Sequence, residues 1–268
     1  MTPLKIVDDP LDPRLRDYVG LRDSQLRKQF EQSEGVFIAE GEKIIRRALT
    51  ARHRPRSFLV QERWLDSLSD VVNEHHDVPV IVGTAALLEQ VSGFHVHRGA
   101  LASFDRPPAR TWDDVLAGNR IIVCQDLVDA TNMGSILRVA AALGWDSVVV
   151  SQASADPLYR RAIKASMGTA LRLPWRRMDD DLVDLERIRA AGFKLVAAAL
   201  VADAVDLQDY QSTGRVALLV GTEGNGLSDD WIARADVCVR IPMAEGVDSL
   251  NVATAAAILG WALRDTAR

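Results

Sequence analysis

The chain has 268 residues, 48% of them hydrophobic and 26% charged, a balance that excludes a disordered or collagen-like protein. Its 32 basic and 37 acidic residues give a net charge of −5, which argues weakly against a protein that coats bulk nucleic acid. With no run of ~18 apolar residues and no signal-peptide pattern, we expect neither a membrane span nor secretion. Two cysteines, Cys124 and Cys238, lie in apolar runs without disulfide or metal-ligand spacing, which indicates a reducing, cytoplasmic location and no metal.

The amino-terminal part of the chain predicts a small α/β domain behind a flexible arm. Residues 1–20 are rich in Pro and Asp and predict the arm. Residues 21–105 alternate apolar strands with amphipathic helices, which predicts the domain. Residues 106–114 are Pro-rich at their start and predict a linker. The predicted strands cover 36–39, 57–60, 79–82 and 99–104, and the predicted helices cover 24–30, 43–50, 63–74 and 85–91.

Residues 115–268 predict a second α/β domain with stronger strands. Continuous apolar runs of this kind are typical of parallel strands that are covered on both faces. The predicted strands cover 120–127, 147–151, 193–200, 216–220 and 237–241, with helices at 132–143, 158–168, 181–191 and 228–234. A last helix, about 249–265, is apolar on nearly all sides, which favours burial, either in the core or against a second subunit.

Three segments of the second domain each follow a predicted strand and carry polar residues or glycines. They are residues 126–138 (DLVDATNMGSILR), 218–227 (LLVGTEGNGL) and 241–252 (IPMAEGVDSLNV). Open α/β sheets bind ligands at the carboxyl ends of their strands, so the segments predict a ligand site. Taken one at a time, they are also explained by an N-capped helix with a surface arginine, by a tight turn, and by a helix cap at Ser249.

Taken together, the strings NMGSILR, LLVGTEGNGL and IPMAEGVDSLNV closely resemble, in order and spacing, the three motifs of SpoU/TrmH-type RNA ribose 2′-O-methyltransferases of the SPOUT superfamily. SMGT (166–169) is similar to a further family pattern, and FIAEGEKIIRRAL (37–49) is similar to the family's amino-terminal RNA substrate-binding domain. The resemblance implies an α/β protein whose carboxyl-terminal SPOUT-type parallel sheet contains a deep trefoil knot. It also implies a homodimer that forms through the knotted domain, and S-adenosylmethionine (AdoMet) as the methyl donor, with no metal.

The resemblance also implies roles for individual positions. The expected catalytic residues are Asn132, Arg138, Glu223, Ser249 and Asn251. The expected AdoMet-binding residues are Ala199, Leu200, Gly221, Ile241, Met243 and Leu250. Because a guanidinium has a pKa above ~12, we expect Arg138 to grip a phosphate and stabilise the developing alkoxide rather than to act as a base.

Two basic runs are candidates for RNA contacts. They cover residues 43–56 and 158–178, and the second contains no acidic residue. Such runs predict contacts with RNA phosphates, although a solvated surface would explain either run alone. The residues that we assign to RNA binding are Arg46, Arg47, Arg160, Arg161, Lys164 and Arg172.

The resemblance implies methyl transfer from AdoMet to a ribose 2′-hydroxyl of structured RNA. We favour 23S ribosomal RNA as the target, because the simpler transfer RNA enzymes of the family often lack an amino-terminal domain. Two alternatives stay open at this point. One is a transfer RNA 2′-O-methyltransferase, and the other is a ribosome-assembly or RNA-binding factor with weak activity.

Overall fold

A computed structural model describes residues 4–96, 99–222, 224–247 and 249–265 of the chain. The chain divides into two compact units. The first comprises residues 1–108 with 158–164, and the second comprises residues 109–157 with 165–268. The division after residue 108 falls inside the predicted linker, whereas the assignment of 158–164 to the first unit has no signal in the sequence.

The first unit is built on one mixed sheet. Its strands are β1 (Leu4–Ile6), β2 (Val36–Glu40), β3 (Pro55–Gln61), β4 (Val80–Gly83) and β5 (Ala100–Asp105), and its α-helices are α1 (Ser24–Ser33), α2 (Glu42–Thr50), α3 (Ser69–Glu74) and α4 (Ala85–Ser92). The strand order is β1-β4-β3-β5-β2. β1 and β3 pair parallel with β4, and β5 pairs antiparallel with β2 and β3.

The expectation of a flexible arm is wrong for the described part of residues 1–20. β1 adds a strand to the sheet, and a 3-10 helix over Pro13–Tyr18 buries Leu15 and Tyr18 completely. The Tyr18 hydroxyl donates to the Ser57 carbonyl at 2.8 Å. Pro and Asp mark turns in this segment, but two large apolar side chains one 3-10 turn apart reach the core from the same face.

The second unit is built on a parallel sheet. Its strands are β6 (Arg120–Cys124), β7 (Ser147–Val150), β8 (Trp175–Arg177), β9 (Phe193–Ala198), β10 (Val205–Asp206), β11 (Arg215–Val220) and β12 (Val237–Arg240). The α-helices after residue 108 are α5 (Trp112–Val115), α6 (Ala130–Ala142), α7 (Arg160–Ala165), α8 (Asp181–Ala190), α9 (Asp229–Arg234) and α10 (Val252–Ala262). All of α7 except Ala165 belongs to the first unit.

Every pairing between the described strands of the second unit is parallel, in the order β10-β12-β9-β11-β6-β7-β8. The predicted α/β class with a parallel sheet is therefore confirmed. Val123, Leu195 and Leu219 on the central strands are fully buried. The short strands β8 and β10 escaped the prediction because they lack continuous apolar runs.

The last helix, α10, is shorter than the predicted helix of about 249–265. It packs on α6, and the indole Nε1 of the buried Trp145, which follows α6, donates to the Gly260 carbonyl at 3.0 Å. Its outer face leaves Ile258 38% and Trp261 58% exposed. Within the described residues, no helix has the length and apolar character required to cross a bilayer.

Candidate functional site

A cavity of about 410 Å³ opens at the carboxyl ends of β9, β11 and β12. Its walls are formed by the loops that follow these three strands and by the start of α10. All the positions that the resemblance assigns to AdoMet lie on its wall: Ala199, Leu200, Gly221, Ile241, Met243 and Leu250. Residues distant in the sequence therefore converge on one largely apolar cavity. The second and third segments contribute to its wall at the carboxyl ends of their strands, whereas no described residue of the first segment, 126–138, does.

The glycine-rich loop after β11 closes tightly on itself. Thr222 and Gly226 exchange two backbone hydrogen bonds of 3.0 Å, and Gly224 and Gly226 have φ angles of +93° and +66°. A Cβ on Gly221 would lie 2.1 Å from the Gly226 carbonyl oxygen, well inside van der Waals contact. Gly221 is therefore required for close backbone packing in the cavity wall, which a side chain would disrupt.

The third segment begins its helix later than the sequence predicts. Asn251 caps α10, and its Oδ1 accepts from the backbone N–H groups of Ala253 (3.0 Å) and Thr254 (3.3 Å). The expectation that Ser249 caps this helix is wrong, and Ser249 instead lines the cavity. Both residue types are good caps, so the sequence alone could not decide between two positions two residues apart.

A side-chain hydrogen bond joins the first segment to the third. Asp129 caps α6 through Thr131 and Asn132, whose N–H groups each lie 2.8 Å from its Oδ1. The Oδ1 of Asn132 accepts from Nδ2 of Asn251 at 3.1 Å. Two of the expected catalytic residues, 119 positions apart, are therefore in direct contact.

The remaining expected catalytic residues are placed less closely. Arg138 lies six residues after Asn132 on α6, with its side chain exposed. Among the described residues, the wall of the cavity includes Ser249 but not Asn132, Arg138 or Asn251. Glu223 lies outside the described residues. The structure thus brings together Asn132 and Asn251 near the start of α10 and leaves the guanidinium of Arg138 accessible to a large substrate.

Two charged residues of the cavity wall were not singled out from the sequence. Arg240 ends β12, and its Nε donates to Oδ1 of Asp206 at 2.5 Å, while Asp229 begins α9. Arg240 directly precedes Ile241 at the end of a predicted strand. This position is the sequence signal that could have identified Arg240 as a residue of the cavity wall. Asp229 gave none, because one more acidic residue at the start of a helix is ordinary.

Arg160 does not fit the expected contact with RNA. It is buried within the first unit, where its guanidinium donates to Glu40 and lies 4.1 Å from the centre of the Phe94 ring. The exposed Lys164 donates to the same carboxylate at 2.6 Å. Burial by itself would raise the pKa of Glu40, but the adjacent ammonium and guanidinium lower it below its ordinary value. These cations therefore compensate a buried carboxylate, and Arg160 is not available to a phosphate.

The other basic candidates differ in their surroundings. Arg46 pairs with Glu42 at 2.9 Å and with Asp70 at 2.6 Å, and these carboxylates raise the pKa of its guanidinium. Its charge is already compensated, which weakens the case for a phosphate contact. Arg47, Arg161 and Arg172 are exposed. Exposure keeps these three as candidates for RNA binding.

Comparison with known proteins decides the family. The model of the SpoU rRNA Methylase family matches residues 119–261, which is more than half of the chain. The chain belongs to the SpoU rRNA methylase family. The resemblance of the three motifs is therefore confirmed, and the chain is an RNA methyltransferase of this family.

Relatives of this SpoU methylase align with most of its length. An uncharacterized tRNA/rRNA methyltransferase of Mycobacterium tuberculosis is 40% identical over 94% of this chain and 88% of its own. A 23S rRNA (guanosine-2′-O-)-methyltransferase of Acinetobacter baylyi is 30% identical over 68% of this chain and 75% of its own. The crystal structure of an AdoMet-bound rRNA methyltransferase from Sinorhizobium meliloti superposes with a TM-score of 0.82 at 25% identity, covering 97% of both chains.

Proposed function

We propose that this SpoU methylase transfers a methyl group from AdoMet to a ribose 2′-hydroxyl of 23S ribosomal RNA. The observation that carries the proposal is the cavity, in which all the expected AdoMet-binding positions meet beside the Asn132–Asn251 contact. The Acinetobacter baylyi relative supports the choice of hydroxyl and of RNA, and the AdoMet-bound Sinorhizobium meliloti structure supports the methyl donor.

The residues of the cavity fit an adenosine-containing sulfonium compound. A volume of about 410 Å³ lies within the usual range for a ligand site. Leu200, Ile241 and Leu250 provide apolar walls for a flat ring, and the loop after β11 provides backbone polar groups. Gly221 has no side chain, so the backbone of Gly226 approaches it closely and the loop stays compact at the cavity wall.

AdoMet held by the residues of the cavity would supply an activated methyl group, because its sulfonium becomes a neutral thioether when the methyl C–S bond breaks. The 2′-hydroxyl oxygen would form the new O–C bond and release its proton to solvent water. The exposed guanidinium of Arg138 stabilises the developing negative charge on that oxygen and binds the adjacent phosphate. Asn132 and Asn251 orient the ribose, and Ser249 holds the third loop. Glu223, from its position in the motif, is assigned to orienting Arg138 or a loop amide.

The first unit is proposed as the RNA substrate-binding domain. Arg47 and Arg161 of this unit, together with Arg172 of the second unit, are proposed as phosphate contacts. We also propose a trefoil knot formed by the loops around the cavity, and a cytoplasmic location beside the ribosomal substrate. The exposed Ile258 and Trp261 support a homodimer through α10, because large apolar side chains on one helix face are usual in interfaces. Loss of dimer mass on Trp261→Asp in sedimentation would test the dimer.

The direct test incubates the purified full chain with radiolabelled AdoMet and total RNA, followed by separation of the RNA species and ribose-specific mapping. Label in 23S RNA at a ribose 2′-oxygen supports the proposal. Label confined to transfer RNA contradicts the proposed target. Label on a base contradicts the ribose 2′-oxygen as the reacting atom. Ribosomal RNA from a strain that lacks the protein has not been methylated by it. If the chain binds this RNA but adds no label to it, the proposed catalysis is contradicted.

A further inference from the structure

A buried glutamine joins β6 to the glycine-rich loop of the cavity. Gln125 follows β6 and is 7% exposed. Its Nε2 donates to the Ser228 hydroxyl at 2.8 Å, and its Oε1 accepts from the Ser228 N–H at 2.9 Å. Its own N–H donates to the Val220 carbonyl at 2.8 Å. Three hydrogen bonds thus connect one residue to both ends of the segment 220–228.

The side chain of Ser228 does not make the helix-capping hydrogen bond that is usual at its position. Ser228 occupies the N-cap position of α9, where a serine hydroxyl usually accepts from its own helix, yet its side chain makes no such bond. The hydroxyl instead accepts from Gln125. The usual capping bond to the helix backbone is therefore replaced by a bond to the amide of the buried Gln125, which connects the end of the loop to the sheet.

The Gln125–Ser228 pair adjoins residues of the cavity wall. Leu227 directly precedes Ser228, is 5% exposed and lines the cavity, and Gly226 contacts Gly221 across the turn. The turn bonds of Thr222 and Gly226 close the loop internally but do not anchor it to the sheet. Val220 of β11 connects the start of the loop to the sheet. Gln125 connects the end of the loop to the sheet through Ser228.

We infer that Gln125 is a positioning residue that holds loop 221–227 in its AdoMet-binding conformation through Ser228. This inference rests on the proposed function, because it assigns the loop to AdoMet. Ser228→Ala leaves Nε2 of the buried Gln125 without the Ser228 hydroxyl, which costs more than the bond contributes. The loop then samples conformations that do not bind, and the apparent affinity falls by the competent fraction.

The test measures binding of S-adenosylhomocysteine to the full chain by calorimetry. We expect Ser228→Ala to raise the Kd about tenfold through the loss of the hydroxyl bond. Gln125→Leu should raise the Kd at least as much, because it also removes the bond from the Ser228 N–H. The double variant should bind no more weakly than Gln125→Leu, because Gln125→Leu already removes the hydrogen bond that Ser228→Ala breaks. Ser228→Thr keeps the hydroxyl and should retain the wild-type Kd. In turnover, the KM for AdoMet should rise while kcat at saturating AdoMet stays within about twofold.

Ser147→Ala is the matched control, because the buried Ser147 hydroxyl donates to the Val115 carbonyl at 2.6 Å at the start of β7, away from the cavity. It should lower the melting temperature without changing the Kd. An unchanged Kd for Ser228→Ala, or an equal rise for Ser147→Ala, overturns the inference and leaves the proposed function intact. A wild-type chain that binds neither AdoMet nor S-adenosylhomocysteine overturns the proposed function and this inference with it.

Discussion

The amide of Asn251 donates to the amide oxygen of Asn132 across 3.1 Å, while the oxygen of the same Asn251 side chain caps α10. One residue therefore starts the terminal helix and connects it to the segment that leads into α6. Aspartate shares the capping oxygen but lacks the donating nitrogen, so the two functions can be separated by substitution.

We expect Asn251→Asp to keep the melting temperature near that of wild type and to lower kcat/KM at least tenfold. The carboxylate still caps the helix but faces the Asn132 oxygen without a proton to donate. Asn251→Ala loses both functions and should additionally destabilise the fold by about 1 kcal/mol. Thermal melts and initial rates measure the two effects. Full activity of Asn251→Asp would show that the contact with Asn132 is dispensable.

Gly221→Ala should abolish measurable binding of AdoMet. The added Cβ would lie 2.1 Å from a backbone carbonyl oxygen, so the loop must move rather than a flexible side chain. Calorimetric titration with S-adenosylhomocysteine measures the effect. Gly192→Asn is the control, because Gly192 has a φ of +86°, which Asn tolerates, and open space around it. Wild-type affinity in Gly221→Ala would contradict the assignment of the cavity.

Arg138→Ala should lower kcat by roughly 10²–10³-fold, the usual effect of removing one group that stabilises developing charge. Affinity for S-adenosylhomocysteine should stay within about twofold, because Arg138 is not among the described residues that line the cavity. Single-turnover assays and calorimetry separate the two quantities. Arg138→Lys keeps the charge and should recover part of the rate. An alanine variant with wild-type turnover would refute the role of Arg138.

The exposed Arg161 and Arg172 should contribute to the salt dependence of RNA binding. Each alanine substitution should weaken binding and reduce the slope of log K against log salt by about 1, the value for one phosphate contact. Filter binding over a salt series measures the slope. Arg46→Ala, at a guanidinium already paired with Glu42 and Asp70, should leave it unchanged. An unchanged slope in both the Arg161 and the Arg172 variant would exclude these two arginines from the interface.

Glu40→Gln should destabilise the folded protein by about 3–5 kcal/mol at neutral pH, because it leaves the buried Arg160 without a counter-charge. The pKa of Glu40 is lowered from 4.5, so its stabilisation is complete above that value and is lost as the pH falls through the lower value of the folded state. Urea unfolding at a series of pH values should show the two chains converging below pH 4.5.

Lys164→Ala is the comparison for that pair, because the Lys164 side chain is 58% exposed and an exposed ion pair contributes only about 0–1 kcal/mol. Equal losses for the two variants would mean that Arg160 is not the partner that matters.

Local chemistry made most of the second unit predictable. The apolar run at 216–220 became β11 over Arg215–Val220, and the run at 193–200 became β9 over Phe193–Ala198. Hydropathy and strand length are properties of neighbouring residues, so they can be read before folding. The glycines of the loop after β11 are also a local feature, and their spacing predicts a tight turn.

The sequence by itself thus determined the α/β class, the family and the segments that form the cavity. Only the tertiary structure decided which charges and amides meet. Arg160 finds Glu40 from 120 positions away, Asn251 rather than Ser249 caps α10, and Gln125 reaches Ser228. A buried polar group needs a hydrogen-bond partner, and the fold can supply that partner from any part of the chain. Because the partner is distant in the sequence, no local pattern predicts it.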